Sequence, residues 1–152
     1  MLPPRPLTTT VTVRASGPAD PSEVWLRYVT PRCWSGWSPQ IRSVSGAPLD
    51  ESVSAGSTGT VHGPAGVAVK FTVIEMDGAA RRWSWRVRVG VVDLDMTHGV
   101  DFRHPTTGST AWVRITGPLP IVLGYAPLAR LALHRLVSAQ SSASGLLRSS
   151  ER

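Results

Sequence analysis

Four histidines and one cysteine are the side chains of this sequence best suited to moving protons or attacking a substrate, and their surroundings separate them. His98 interrupts an otherwise apolar alternation, Val92, Leu94, Met96, Val100 and Phe102, in the middle of a strand-like run. A histidine on such a face either satisfies its ring nitrogens from neighbouring protein groups or turns one toward a solvated cavity. In the second case a reference pKa of about 6.5 suits it to donate a hydrogen bond or to act as acid or base. His62, His98, His104 and His134 lack the tight spacing of metal ligands, so no metal and no cofactor are expected. Cys33 stands beside Trp34 with no histidine at a suggestive spacing. As the single cysteine it excludes an internal disulfide and reads as a packing residue rather than a nucleophile. The glycines from Gly56 to Gly66 follow no phosphate-loop pattern and suit turns and a cavity mouth. Lys70 has the parity opposite to Val67, Val69, Phe71 and Val73, which points it to solvent.

The run that positions His98 alternates from Arg81 to His98 with Gly90 at its centre. A two-residue Gly90-Val91 turn, with glycine first as a type II′ turn requires, pairs positions whose numbers sum to 181. On one face Arg88 then meets Asp93, Arg86 meets Asp95 and Ser84 meets Thr97. On the other, Val87 meets Leu94, Trp85 meets Met96 and Trp83 meets His98. Polar residues oppose polar ones and apolar residues oppose apolar ones throughout, and both charge pairs are of opposite sign. The next apolar positions, Ala111, Val113 and Ile115, alternate with Thr110, Trp112, Arg114 and Thr116, which continues the enclosed face onto a neighbouring strand.

The supporting elements follow from the same reading. A β-branched run from Thr8 to Ala15 predicts a first strand. Asp20 as N-cap, Pro21 at the first helical position and Glu23 in the first turn predict a short helix over 21–29, and residues 32–39 suit a second helical turn. Segments 41–45, 59–62, 67–76, 81–89, 92–102 and 109–116, separated by glycine- and proline-bearing turns, predict about six consecutive antiparallel strands. Leu128, Leu131, Ala132, Leu133, Leu136 and Val137 share a helical stripe, while Gly124 and Pro127 predict a break before a helix of about 13 residues. Residues 1–7 read as an irregular leader, 8–140 as one domain, and 141–152 as a flexible Ser-rich tail.

Composition bounds what this domain does. The chain has 152 residues, enough for one core, with 41% apolar and 17% charged residues and six tryptophans against two tyrosines and two phenylalanines. It lacks an apolar run of about 18 residues, and its first residues lack the apolar centre of a signal peptide, so membrane insertion is not expected and a cytoplasmic location is. The net charge of +6 comes from fifteen arginines and one lysine against ten acids. Part of that excess is matched by the hairpin aspartates, so nucleic acid is not an expected partner, and the protein is expected as a monomer or weak homodimer.

In order along the chain, Pro21-Ser-Glu-Val-Trp25, Trp34-Ser-Gly-Trp-Ser-Pro-Gln-Ile41, Phe71-Thr-Val-Ile-Glu75, Arg82-Trp-Ser-Trp-Arg86, Gly108-Ser-Thr and Gly117-Pro-Leu119 resemble the START-like, or SRPBCC, helix-grip superfamily. The likeness spans about residues 8 to 140 and is nearest to its polyketide cyclase/dehydrase-like branch. It implies an α+β fold, with a curved antiparallel sheet of six to seven strands wrapped around a long C-terminal helix and two short helices after the first strand. It further implies a cavity between sheet and helix for an apolar or aromatic small molecule. A cyclase-like member would carry out cofactor-independent aldol cyclisation or dehydration, and His98 is then the acid/base candidate. The ligand-binding candidates are Trp37, His62, Phe71, Trp83, Trp85, Met96, Val100 and Tyr125. The alternative is a carrier or sensor of a hydrophobic ligand without turnover. Asp93, Asp95 and Asp101 all have outward parity, which leaves a catalytic dyad without a carboxylate.

Overall fold

A computed structural model describes residues 7–103 and 107–138; His104, the irregular leader before Leu7 and the Ser-rich tail lie outside the described residues. Strand β1 (Thr8–Gly17) is followed by helices α1 (Pro21–Val29) and α2 (Pro31–Trp37). Strands β2 (Ser43–Ser45), β3 (Thr58–His62), β4 (Ala68–Asp77), β5 (Arg82–Val89), β6 (Val92–Phe102) and β7 (Ser109–Pro118) come next, and then helix α3 (Leu119–Ser138). The seven strands form one antiparallel sheet in the order β1-β7-β6-β5-β4-β3-β2, so each strand from β2 to β7 lies beside its sequence neighbour and β1 closes the far edge against β7. Helix α3 packs on β1 and β7, with α1 and α2 beside it.

Local signals explain the starts of these elements. Asp20 Oδ1 accepts the Ser22 N–H at 2.8 Å and Pro21 opens α1, where its missing N–H costs nothing. The β5/β6 register pairs Arg82 with Gly99 through Val89 with Val92, every pair summing to 181. Gly90 has φ +64°, the left-handed conformation that the first centre of a type II′ turn demands. Arg86 bonds Asp95 at 2.8 Å and Arg88 reaches Asp93 at 3.4 Å, with Arg82 adding a third pair to Asp101 at 2.6 Å. All three lie on the solvent face, where such pairs contribute only about 0.2–1 kcal/mol each.

The structure departs from the sequence expectations at four places. Helix α3 is continuous over 20 residues, with Pro127 inside it. The proline removes one internal hydrogen bond, at a cost of about 3 kcal/mol. Val122, Ala129, Ala132, Leu133, Leu136 and Val137, buried against the sheet on both sides of it, offset that cost. Phe102 is not part of the enclosed face: it sits at the end of β6, 59% exposed, with the Arg81 guanidinium 5.2 Å from its ring centre. A bulge between Val73 and Glu75 shifts the alternation by one residue, which keeps Glu75 outside beside Ile74 and brings Met76 opposite Trp83. Strand β2 begins only at Ser43, because the Ile41 N–H bonds Ser38 O at 3.1 Å in the preceding turn.

Trp112 lies on the outer face as its parity requires, covering Gly99. Its ring lies under the guanidiniums of Arg82 and Arg114, at 4.9 and 5.8 Å from the centroid, and its Nε1–H donates to Asp101 Oδ2 at 3.1 Å. A Cβ added at Gly99 would overlap the Trp112 ring. Gly99→Ala is therefore expected to destabilise the fold by about 1–3 kcal/mol through overpacking, read as a lower urea midpoint with an unchanged slope.

Candidate functional site

The sheet, α2 and α3 enclose an aromatic chamber around His98. Trp34, Trp83 and His98 stack as three nearly parallel rings, with Trp34–Trp83 centroids at 6.0 Å and Trp83–His98 at 4.0 Å. Tyr28 meets His98 edge-on at 5.1 Å, and Trp85 does so at 5.5 Å. Strand pairing across the β5/β6 hairpin puts Trp83 and His98 in contact, and α1 supplies Tyr28 through its buried face. Tyr28 is itself fixed, its hydroxyl donating to Trp112 O at 2.9 Å, and burial pushes its pKa well up.

His98 is 5% exposed. Its Nδ1 lies 3.2 Å from Trp83 O, and a carbonyl only accepts, so Nδ1 carries the proton and Nε2 holds a lone pair. Burial in this ring cluster lowers its pKa to about 3, against the smaller opposing effect of the Trp83 hydrogen bond. The ring is neutral at physiological pH. Its Nε2 is an acceptor with no hydrogen-bond partner among the described residues.

Two neighbouring spaces lie against this cluster and share part of their walls. The inner one, about 40 Å³, is bordered by Tyr28, Trp34, Trp37, Ser38, Trp83, His98 and Val113, with Ala129, Ala132 and Leu133 of α3. The outer one, about 330 Å³, lies between Val61, Val69, Val87 and Leu94 of the sheet and Ile121 and Leu128 of α3. Gln40, Ile41, Trp85, Met96 and Tyr125 border both, and this shared wall is the neck of the site. At the neck Gln40 Nε2 donates to the Tyr125 hydroxyl at 2.8 Å; desolvation raises the Tyr125 pKa, and this bond partly counters the rise. Among the described residues, no Asp, Glu, Lys or Arg borders either space. Val67, Val89, Ile121 and Leu128, each at least 36% exposed, rim the outer pocket with apolar surface.

Of the residues expected at a site, Trp37, Trp83, Trp85, Met96, His98 and Tyr125 stand on these walls. Three do not. His62 pairs with Ala68 and Ser43 at the β3 position, and its Nε2 lies 2.7 Å from Ser45 Oγ, so it bonds within the sheet edge. Phe71 is packed among Trp34 and Trp85 at 5.6 and 5.1 Å beneath Gly59, and Val100 is buried beyond the inner space; both are core. Sequence reasoning missed Ser38, Gln40 and Ile41, whose run after Trp37 reads as a packing signature although all three border the inner space. Val87 and Leu94 were legible as an inward pair, but parity alone does not tell a packed wall from an open one. Among the described residues, no group of three His, Cys, Asp or Glu side chains could hold a metal ion, and no helix is long and apolar enough to cross a membrane.

No protein-family model and no curated protein matches the chain. A solved structure, that of Ara h 8.0201, does: it superposes with a TM-score of 0.62 over 85% of this chain and 98% of that one, at 13% sequence identity. At that identity the likeness establishes the fold alone. The seven-stranded antiparallel sheet gripping a long C-terminal helix is a Bet v 1-like helix-grip fold. The match does not bear on the polyketide cyclase-like reading.

The buried neutral histidine has a measurable consequence. The unfolded chain binds a proton at His98 near its ordinary pKa and the folded chain only near 3, so between those values the unfolded state holds more protons. His98 therefore makes the fold less stable as pH falls from about 6.5 toward 3. At pH 4.5 the loss is on the order of 2 kcal/mol relative to pH 7. In His98→Phe, chemical denaturation at the two pH values should show a stability difference smaller by that amount, and an equal difference in both proteins would exclude this origin.

Proposed function

We propose that this protein binds an apolar or aromatic small molecule between its sheet and α3, as a carrier or sensor rather than through turnover. The observation that carries this reading is the outer pocket. Its 330 Å³ falls within the range of about 300–1,000 Å³ usual for ligand sites, and its wall is aliphatic and aromatic apart from Gln40 and Tyr125 at the neck. Exposed Val67, Val89, Ile121 and Leu128 continue the apolar wall to the surface, an arrangement that costs free energy in water and suits entry of an apolar ligand.

Acid/base cyclisation finds less support at these residues. A general base works best with a pKa near the operating pH, and burial holds His98 at about 3. A second proton-transfer group is also wanting: among the described residues the walls carry no carboxylate, and the tyrosines Tyr28 and Tyr125 are pushed up by burial.

Titration with N-phenyl-1-naphthylamine, a neutral apolar fluorophore, should show saturable one-to-one binding with a Kd in the micromolar range. Val69→Trp, which fills the outer pocket from β4, should weaken that binding by about tenfold or more while the far-UV circular dichroism stays unchanged. Absence of saturable binding to the folded wild-type protein would overturn the proposal.

A further inference from the structure

The strand pairings gather several connections at one end of the sheet. The loop between β3 and β4 lies there, and the start of β4 sits beside the end of β5, where Lys70 pairs with Arg88. The β5/β6 turn follows, then the end of β7 beside the start of β6, and the start of β1, where Thr8 pairs with Pro118. Helix α3 begins at the same end, its Leu119 N–H bonded to Leu7 O at 2.8 Å. Segments 7–13, 63–69, 89–92 and 115–129, which form and flank this end, contain no Asp, Glu, Lys or Arg. Leu7, Val67, Val89, Val91, Ile121 and Leu123 stand out from it at 36–92% exposure, and Val91 at the hairpin tip is the most open. The connections at the opposite end are charged, with Asp20, Asp77, Arg81 and Arg103 on them.

We propose that this end docks peripherally on a lipid bilayer carrying anionic headgroups, with the exposed apolar tips entering the boundary between headgroups and acyl chains. This goes beyond the ligand binding proposed above, because the apolar end meets a bilayer whether or not the pocket is filled. Apolar side chains clustered on neighbouring turns are unfavourable in water and favourable among acyl chains. The charges behind the tips set the sign of the surface. They begin with Arg42, whose N–H bonds His62 O at the end of β3, and with Lys70 and Arg88 side by side on β4 and β5. The first acids on the strands at this end, Asp93 and Asp95, are held by Arg88 and Arg86. Arg42 and Lys70 are exposed, with no acid in ion-pair range among the described residues. Cations placed just behind an apolar tip are attracted by anionic headgroups.

A second copy of the chain suits this end less well. Two such ends placed together would set cationic rims of the same sign against each other, and each chain carries a net charge of +6. A bilayer also suits the position of the outer pocket. Val67, Val89 and Ile121 belong both to the exposed end and to the pocket wall, so a docked protein presents that wall to apolar molecules dissolved in the bilayer.

The test is flotation with vesicles at neutral pH, phosphatidylcholine alone against phosphatidylcholine with about 30% phosphatidylglycerol. The expected result is binding about tenfold tighter to the anionic vesicles, weakening as salt is raised. The double variant Val91→Asp with Leu123→Asp, two exposed positions off the pocket wall, should weaken binding about tenfold or more. Lys70→Glu should weaken it roughly fivefold on anionic vesicles only. Without vesicles, these variants should titrate with N-phenyl-1-naphthylamine as the wild type does, which shows that fold and pocket are intact. Absence of vesicle binding by the wild type overturns the proposal, as does equal binding to both vesicle types. Binding unchanged in the double variant also overturns it, since charge alone then holds the protein. A dimer seen by sedimentation velocity that the double variant dissolves, without vesicle binding, overturns it in favour of self-association. Vesicle binding as expected in a protein that fails to take up the dye supports docking and removes only the pocket's function.

Discussion

The β5/β6 pairing decides most of what this molecule can do. One register places Arg86 against Asp95 and Arg88 against Asp93 on the solvent side, and Trp83 against His98, Trp85 against Met96 and Val87 against Leu94 on the other. A slip of one residue would carry both arginines inward and His98 and the two tryptophans out, so the polar ladder and the aromatic chamber are the two faces of a single choice. The exposed ion pairs add little stability individually, but a slipped register would bury their charges, and that penalty makes the choice strict. Everything inside follows from it: the stack of Trp34 on Trp83 on His98, the neck at Trp85 and Met96, and the wall at Val87 and Leu94.

Because that register is written in strict alternation, it is readable in the sequence itself. So is α1, whose cap, proline and acidic first turn are all local. The readings that failed are those in which a distant contact outweighs a local signal. Pro127 predicts a break, and the sheet beneath α3 holds the helix through it. Phe102 has inward parity, but the sheet has run out of cover by the end of β6. His62 and Phe71 have residue types suited to ligand contact, yet one is committed to Ser45 and the other to the tryptophan cluster. Ser38 and Gln40 were invisible for the opposite reason: neither breaks a pattern, and only the fold brings them to the border of the inner space.

The two cavities divide the energetic problem. The outer pocket exposes aliphatic surface that would be better covered, and the packing around the inner chamber keeps buried polar atoms that would be better paired. Both are costs to the folded protein. Burial elsewhere offsets them: Val24, Tyr28, Val29, Trp34, Phe71, Ile115, Leu133, Leu136 and Val137 are all nearly inaccessible to solvent. Stability is thus concentrated where α1, α2 and the second half of α3 meet β1, β6 and β7, and the neighbourhood of the outer pocket is the less well-packed part of the fold.

The crowding of indoles has an optical side as well. Trp34, Trp83 and Trp85 lie with ring centres 5.2–6.0 Å apart in fixed relative orientations, close enough for their electronic transitions to mix rather than act as separate chromophores. Their near-ultraviolet dichroism is therefore a property of the cluster's geometry, dependent on interplanar angles such as the 10° between Trp34 and Trp83. The wall of the inner chamber is in this sense also a built-in gauge, whose signal belongs to the arrangement of the rings and to no single tryptophan.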